Sequence, residues 1–486
     1  MLETFSSLRQ HLKSPRQHLK LSIALVAAIV VGHSLILASP GFFNHEEWDA
    51  FDHVTQKGLH DYVHSRVLAI PPAENGFSDS LRPIGYLHLG IAAQWMSSAP
   101  ILSHGMSLIV HALVCLLLVR LLSIVGASLG TAYLSGALFA FSPLTTIAVG
   151  WIGANMDAWY SLFSILTCMV TVKIAKGGLS YGRAIQVLSL SALAVLSKET
   201  ALILPFAMLL TALVWQRTAA DHCTHWKALW AGGMLATVPV AAFFVVRLPA
   251  LLVSFGTSGH PAYSPSLSNV PRNIVYYFAY PFIADLTELI NIVFTTPAGL
   301  VIAAVLHAGL LVMLWVAFDK RWAIWYVVGY FFFLVPILAL PKISSHYLYA
   351  SGISMSVVLA ALFVKAWTGG RYVMFASLFG LTAVLLGHSF KIQSVLYQNG
   401  VCEAAFLHSL DTRVATEIVR GTKELIVVPE SGARVYVGKR AIAFRNRYDG
   451  SRGLLVGWVQ HDQLVEPGSG RPGEVTVAMT RECLIR

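Results

Sequence analysis

Between about residue 84 and residue 390 the chain is built almost wholly of apolar runs near 20 residues long, and no other feature restricts its fold as strongly. A run of that length crosses the hydrocarbon core of a bilayer as a helix, and inside lipid every backbone polar group must be satisfied within a helix or a closed barrel. The runs lack the period-2 alternation of barrel strands, so helices are expected. Composition agrees: 56% of the 486 residues are hydrophobic and 12% charged, against about a quarter charged in soluble proteins. The deficit is uneven, because residues 40 to 82 and 391 to 486 read as water-exposed chain. A formal charge of +10 in a soluble protein would raise nucleic acid as a partner. Here the basic residues sit mainly in short loops between runs, where they set orientation, and no nucleic-acid partner is expected.

The first run, 21 to 39, follows Arg9, Lys13, Arg16 and Lys20. It is longer than a signal-peptide core and ends in a poor cleavage site, so it reads as an uncleaved span with residues 1 to 20 in the cytoplasm. Residues 40 to 82 then form a first loop outside. Further spans are expected at 101 to 119, 129 to 147, 155 to 172, 185 to 197, 200 to 215, 228 to 246, 296 to 318, 322 to 340, 346 to 364 and 372 to 390. The segment 273 to 292, with Asp285 and Glu288, is expected to lie on the outer face, which keeps Asp319, Lys320, Arg321, Lys365 and Arg371 inside. The fold class is therefore an all-α polytopic membrane protein of about 11 transmembrane helices. Its tail, 391 to 486, carries strand-like segments at 424 to 429, 433 to 437 and 475 to 479 and reads as a small β-containing extracytoplasmic domain. Cys402 and Cys483 both fall in that exported tail, where an oxidising compartment permits a disulfide; Cys115 and Cys168 fall in spans.

The first loop reads Asn44-His-Glu46-Glu47-Trp48-Asp49-Ala-Phe-Asp52. Four carboxylates at the mouth of a membrane domain suit a solvated loop, or a base that removes the proton of an attacking hydroxyl. Lys198 and Glu199 interrupt apolar sequence, where charges are costly and face a cavity or each other. They suit an internal salt bridge at a re-entrant turn, or, for Lys198, contact with a lipid phosphate. Arg82, Arg247 and Arg272 suit bidentate phosphate contacts or interfacial anchoring. Asp157, with Trp151 and Asn155, forms a polar patch at the start of a span, and an ionised group there needs a partner. His346 and Tyr347 open a late span, as part of an aromatic belt or as hydrogen-bonding groups. His104 and His111, seven apart, share a helix face but are too far apart to bind one metal, and packing or hydrogen bonding is expected of them.

Taken in order, these segments resemble the membrane glycosyltransferases of the C-type (GT-C) fold. Glu46-Glu47 is similar to the paired acids after the first span of that superfamily. Arg82-Pro-Ile-Gly-Tyr-Leu87, His104 to His111, Phe139-Ala-Phe-Ser-Pro143 and Trp151-Ile-Gly-Ala-Asn-Met-Asp157 resemble successive blocks of the O-mannosyltransferases that carry tetratricopeptide tails. Leu196-Ser-Lys-Glu-Thr-Ala-Leu-Ile-Leu-Pro205 and Ser345-His-Tyr-Leu-Tyr349 are similar to blocks of that group and of the bacterial transferase that adds aminoarabinose to lipid A. The likeness covers roughly residues 40 to 350. Glu-Glu replaces the commoner Asp, which leaves the identity of the base open; position in the resembling block favours Glu46, with Glu47 second and Asp49 third. The missing tetratricopeptide tail points to a bacterial member.

The resemblance implies an inner-membrane enzyme with its active site facing the periplasm and 21 to 390 as catalytic domain. Its donor would be a sugar on a polyprenyl phosphate, undecaprenyl phosphate in bacteria, and its acceptor an O-antigen or lipopolysaccharide, another surface glycan or a protein. Lys198, Arg82, Arg247, His346 and Tyr347 would bind the donor phosphate, and Asp157, Glu199 and Arg272 would line the substrate site. No cofactor is expected to be required and no metal ligands are assigned, although paired acids also bind divalent ions. The rival from another class is a lipid or sugar transporter or flippase. Against it stand the acidic first loop and the lack of two similar halves. A non-catalytic assembly protein of the same fold is the third reading.

Overall fold

The structure is a computed structural model that describes residues 15–41, 45–70, 81–96, 98–218, 225–255, 265–282, 292, 296–420, 424–429, 455–458, 474–479 and 483. Helices α1 (Pro15–Gly32) and α2 (Ser34–Leu37) cover the first apolar run and divide at His33. The acidic first loop is itself helical: α3 spans His45–Tyr62, leaves helical geometry at Gly58 (φ 85°) and passes into a π-turn at Val63–Val67. There follow α4 (Pro83–Ala93), α5 (Pro100–Ile124), α6 (Leu129–Ala140), α7 (Pro143–Gly150), a 3-10 turn at Ile152–Asn155, and α8 (Met156–Gly177). Next come α9 (Tyr181–Ser197), a 3-10 turn at Glu199–Ile203, α10 (Leu204–Thr218), α11 (Trp226–Phe255) and α12 (Val270–Ala279). Helices α13 (Pro297–Ala317), α14 (Lys320–Phe332), α15 (Ser351–Thr368) and α16 (Tyr372–Val419) complete the helical part.

Local chemistry sets several boundaries. Ser128, Ser142, Ser180 and Thr296 cap their helices through side-chain oxygens, and Asp319 accepts from the amides of Arg321 and Trp322 at 2.7 and 3.3 Å. Proline at Pro143 cannot continue a helix from the preceding turn, and α6 meets α7 there at 55°.

Every run expected to span is helical over most of its length. Among the described residues six helices, or up to seven with the bent α6–α7 pair, are long and apolar enough to cross a membrane, as befits a multi-pass membrane protein. The rest of the expected set of about 11 are shorter or broken, α9 and the Glu199–Leu210 stretch among them. Helix α12, which covers residues 273 to 279 of the 273 to 292 segment, has ten residues, too short for a crossing at 1.5 Å per residue. Asp285 and Glu288 lie outside the described residues.

The tail does not begin a separate element at residue 391, because α16 runs unbroken for 48 residues from the apolar zone into it. Strands β1 (Glu424–Pro429), β2 (Leu455–Trp458) and β3 (Glu474–Met479) form a parallel sheet in the order β2-β1-β3, with Leu425 opposite Val456 on one side and Val475 on the other. Leu425, Val427 and Val477 bury against Phe406, Leu410 and Val414 of α16. A disulfide joins Cys402 to Cys483. The strand expected at 433 to 437 lies outside the described residues.

Candidate functional site

Glu46 and Glu47 occupy the first turn of α3, where unpaired amides and the helix dipole favour negative charge. Successive helical positions are about 100° apart, so the two carboxylates point in different directions. Glu47 is fully buried and its Oε1 accepts from the amides of Ile152 (2.7 Å) and Gly153 (3.4 Å). These are opening amides of the 3-10 turn between α7 and α8, which have no partner within the turn. Glu47 therefore pins α3 to the membrane domain. Glu46 keeps partial exposure. A Cβ built on Gly153 would stand 3.0 Å from Glu46 Oε2 and 2.8 Å from Trp151 Nε1, so the glycine leaves open a small space that the carboxylate and the indole N–H share. Trp151 Nε1 is buried and has no hydrogen-bond partner among the described residues. Asp49 is exposed on the next turn.

Lys198 and Glu199 do not pair with each other, contrary to the internal bridge considered from sequence. Lys198 is extended (φ −162°, ψ 141°), which sends adjacent side chains to opposite sides. The Lys198 ammonium, 2% exposed, pairs with Asp157 Oδ2 of α8 and stands 4.5 Å from the centre of the Tyr347 ring. Glu199 accepts instead from Arg82 Nε at 2.6 Å, and a second Arg82 nitrogen lies 3.5 Å from Met156 Sδ. Lys198 meets Asp157, Arg82 meets Met156 and Glu46 Oε2 borders Gly153, so charged groups from three distant parts of the chain surround the 151 to 157 turn.

His346 closes this group. Its ring meets Trp151 edge-on at 5.0 Å and Tyr347 at 4.3 Å, and its Nδ1 has no partner among the described residues. Asp157 Oδ1 is likewise buried without a hydrogen-bond partner. The cluster presents three carboxylates, two cations, an imidazole and an indole N–H around one turn.

One expected residue is engaged by other groups. Arg272 is engaged by Asn273 Oδ1 (3.2 Å) and the Pro341 carbonyl (2.7 Å), fastening α12 to the segment before His346. Arg247 is buried in α11, one turn beyond Phe243, which packs with Tyr160 and Ala201. His111 hydrogen-bonds Tyr349 OH (2.7 Å) and the Ala140 carbonyl (3.2 Å), and His104 meets the Gly41 carbonyl (3.3 Å), the structural roles expected of them. No group of three or more metal-ligating side chains is present among the described residues. Sequence reasoning did not foresee the role of Gly153, for which a glycine inside the Trp151–Asp157 polar patch was the available signal.

No protein-family model matches the chain, and no curated protein sequence matches it. Among solved structures, it is similar to ArnT from Cupriavidus metallidurans bound to undecaprenyl phosphate, at 13% identity over 89% of each chain with a TM-score of 0.45. It is also similar to the Archaeoglobus fulgidus oligosaccharyltransferase in the apo form, at 13% identity and a TM-score of 0.47 over 93% of this chain. This chain spans 65% of that archaeal enzyme's length. The archaeal AglB from the same organism, in complex with an inhibitory peptide and a dolichol-phosphate, is matched at 13% identity with a TM-score of 0.44 over 91% of this chain and 64% of that one.

Proposed function

We propose that this protein is an inverting membrane glycosyltransferase that moves a sugar from a polyprenyl phosphate to an acceptor hydroxyl. The observation that carries the reading is the convergence of three groups on the 151 to 157 turn: Glu46 beside Gly153, Arg82 beside Met156 and Lys198 on Asp157. Glu46 is the base: it is the partly exposed member of the pair, while Glu47 is committed to the Ile152 and Gly153 amides.

Glu46 takes the proton of the acceptor hydroxyl. The oxygen attacks the anomeric carbon as the bond from that carbon to the phosphate oxygen breaks, and the lipid phosphate leaves with the electron pair. A single displacement inverts the anomeric configuration. Arg82 and Lys198 stabilise the leaving phosphate. Glu199 and Asp157 hold those cations in place without exhausting them, since a guanidinium has five N–H donors and an ammonium three. Tyr347 and His346 complete the phosphate side, Asp157 and Trp151 offer polar atoms to the sugar, and no metal enters the scheme.

In this reading the donor is undecaprenyl-phosphate-linked and the protein lies in a bacterial inner membrane with the site facing the periplasm. The acceptor is lipopolysaccharide or O-antigen, another surface glycan, or a protein. The test is release of free undecaprenyl phosphate from a panel of undecaprenyl-phosphate-linked sugars in proteoliposomes supplied with each acceptor class. Loss of a general base lowers the rate by about 10²–10⁴, and Glu46→Gln is expected in that range, with Lys198→Ala also strongly impaired. Full activity in both variants refutes the site, and donor movement across the bilayer without cleavage identifies a flippase.

A further inference from the structure

We infer that Glu403, in the tail-bearing half of α16, is a positioning residue for the acid-bearing first turn of α3, so that the tail domain sets the placement of the base. The inference rests on the reading of Glu46 as that base. Glu403 is 2% exposed, and its Oε1 accepts the indole N–H of Trp48 at 2.5 Å. Trp48 follows Glu47 directly and is itself buried. A carboxylate accepting a buried N–H is among the stronger hydrogen bonds a protein makes.

The same turn of α16 grips the chain that leads into α3. A Cβ on Gly41 would stand 2.6 Å from the Gly400 carbonyl oxygen and 2.8 Å from Glu403 Oε2, and one on Gly400 would lie 3.1 Å from the Gly41 amide nitrogen. Both positions are glycine because the two backbones touch. The first turn of α3 is therefore held from two sides, by Glu47 on the Ile152 and Gly153 amides and by Trp48 on Glu403.

Glu403 is fixed in turn by the tail. Its neighbour Cys402 is disulfide-bonded to Cys483, and Phe406, Leu410 and Val414, further along α16, pack on Leu425, Val427 and Val477. A continuous line of contact thus runs from the β-sheet through one helical turn to the residue beside the two acids.

Two readouts on the purified full chain test this. Hydrogen–deuterium exchange of the 45 to 57 segment is independent of any substrate. Glu403→Ala and Trp48→Phe are each expected to raise exchange there about tenfold or more, the scale of a lost hydrogen bond to a buried charge. The double variant is expected to match either single one, and Glu403→Gln, whose amide oxygen still accepts the indole N–H, to restore most of the protection. Cys402→Ser is expected to move exchange in the same direction by less.

The second readout is release of undecaprenyl phosphate from an undecaprenyl-phosphate-linked hexose that the parent cleaves. Glu403→Ala is expected to lower kcat at least tenfold with the donor KM little changed, and Glu403→Gln to recover it. Unchanged exchange in both Glu403→Ala and Trp48→Phe overturns the inference whatever the activity. Raised exchange with unchanged kcat overturns the link to the base, whereas full activity of Glu46→Gln refutes the functional reading alone. If Glu403→Ala does not fold, Trp48→Phe and Glu403→Gln decide: slow exchange in the former overturns the inference, and fast exchange with rescue in the latter supports it.

Discussion

Replacing Lys198 by Met separates what the buried ion pair does for the fold from what it does for chemistry. Lys198 is 2% exposed and Asp157 fully buried, so the loss of one charge strands the other away from water. Breaking such a pair costs about 3–5 kcal/mol, while replacing both partners by apolar groups of similar volume is often neutral or stabilising. Asp157 Oδ1 already lacks a hydrogen-bond partner among the described residues, which leaves the carboxylate little alternative solvation. Lys198→Met and Asp157→Leu are each expected to lower the thermal midpoint of the detergent-solubilised protein by several degrees. The double variant is expected to return to within about 1 kcal/mol of the parent. Sugar transfer should be lost in both proteins that lack Lys198, because the phosphate has lost a cation. The assay is a double-mutant cycle of midpoints run beside undecaprenyl phosphate release. Single variants as stable as the parent, or a double variant that transfers sugar at the parental rate, refute the reasoning.

Two further outcomes follow from the same geometry. Glu47→Ala removes the acceptor of the Ile152 and Gly153 amides and is expected to cost about 1–3 kcal/mol in stability, with Glu47→Gln milder because an amide oxygen still accepts; equal losses in a denaturation comparison would contradict the clamp. Gly153→Ala fills the space between Glu46 and Trp151, so kcat should fall while binding of undecaprenyl phosphate, followed by ligand-induced thermal stabilisation, persists.

The sequence by itself determined the solvent and the class of element. Apolar runs of membrane length leave a chain in lipid only helical ways to satisfy its amides, and each expected run is helical over most of its length. It also marked nearly all the groups that gather at the site, because a charge such as Lys198 or Asp157 in apolar sequence is costly enough to need a reason. It could not state their partners. Lys198 and Glu199 are neighbours in the chain, yet one faces Asp157 and the other Arg82, since pairing depends on backbone direction and on which helix packs opposite. Side-chain chemistry gave no ground to rank Glu46 above Glu47, an order that rested on position in the resembling block alone; the position of the Ile152 and Gly153 amides, more than a hundred residues away, makes one a clamp and leaves the other partly exposed. The hold of Glu403 on Trp48 lay deeper still, because a glutamate in a water-exposed tail carries no sign in its own sequence that folding will bury it against the first turn of the acid helix.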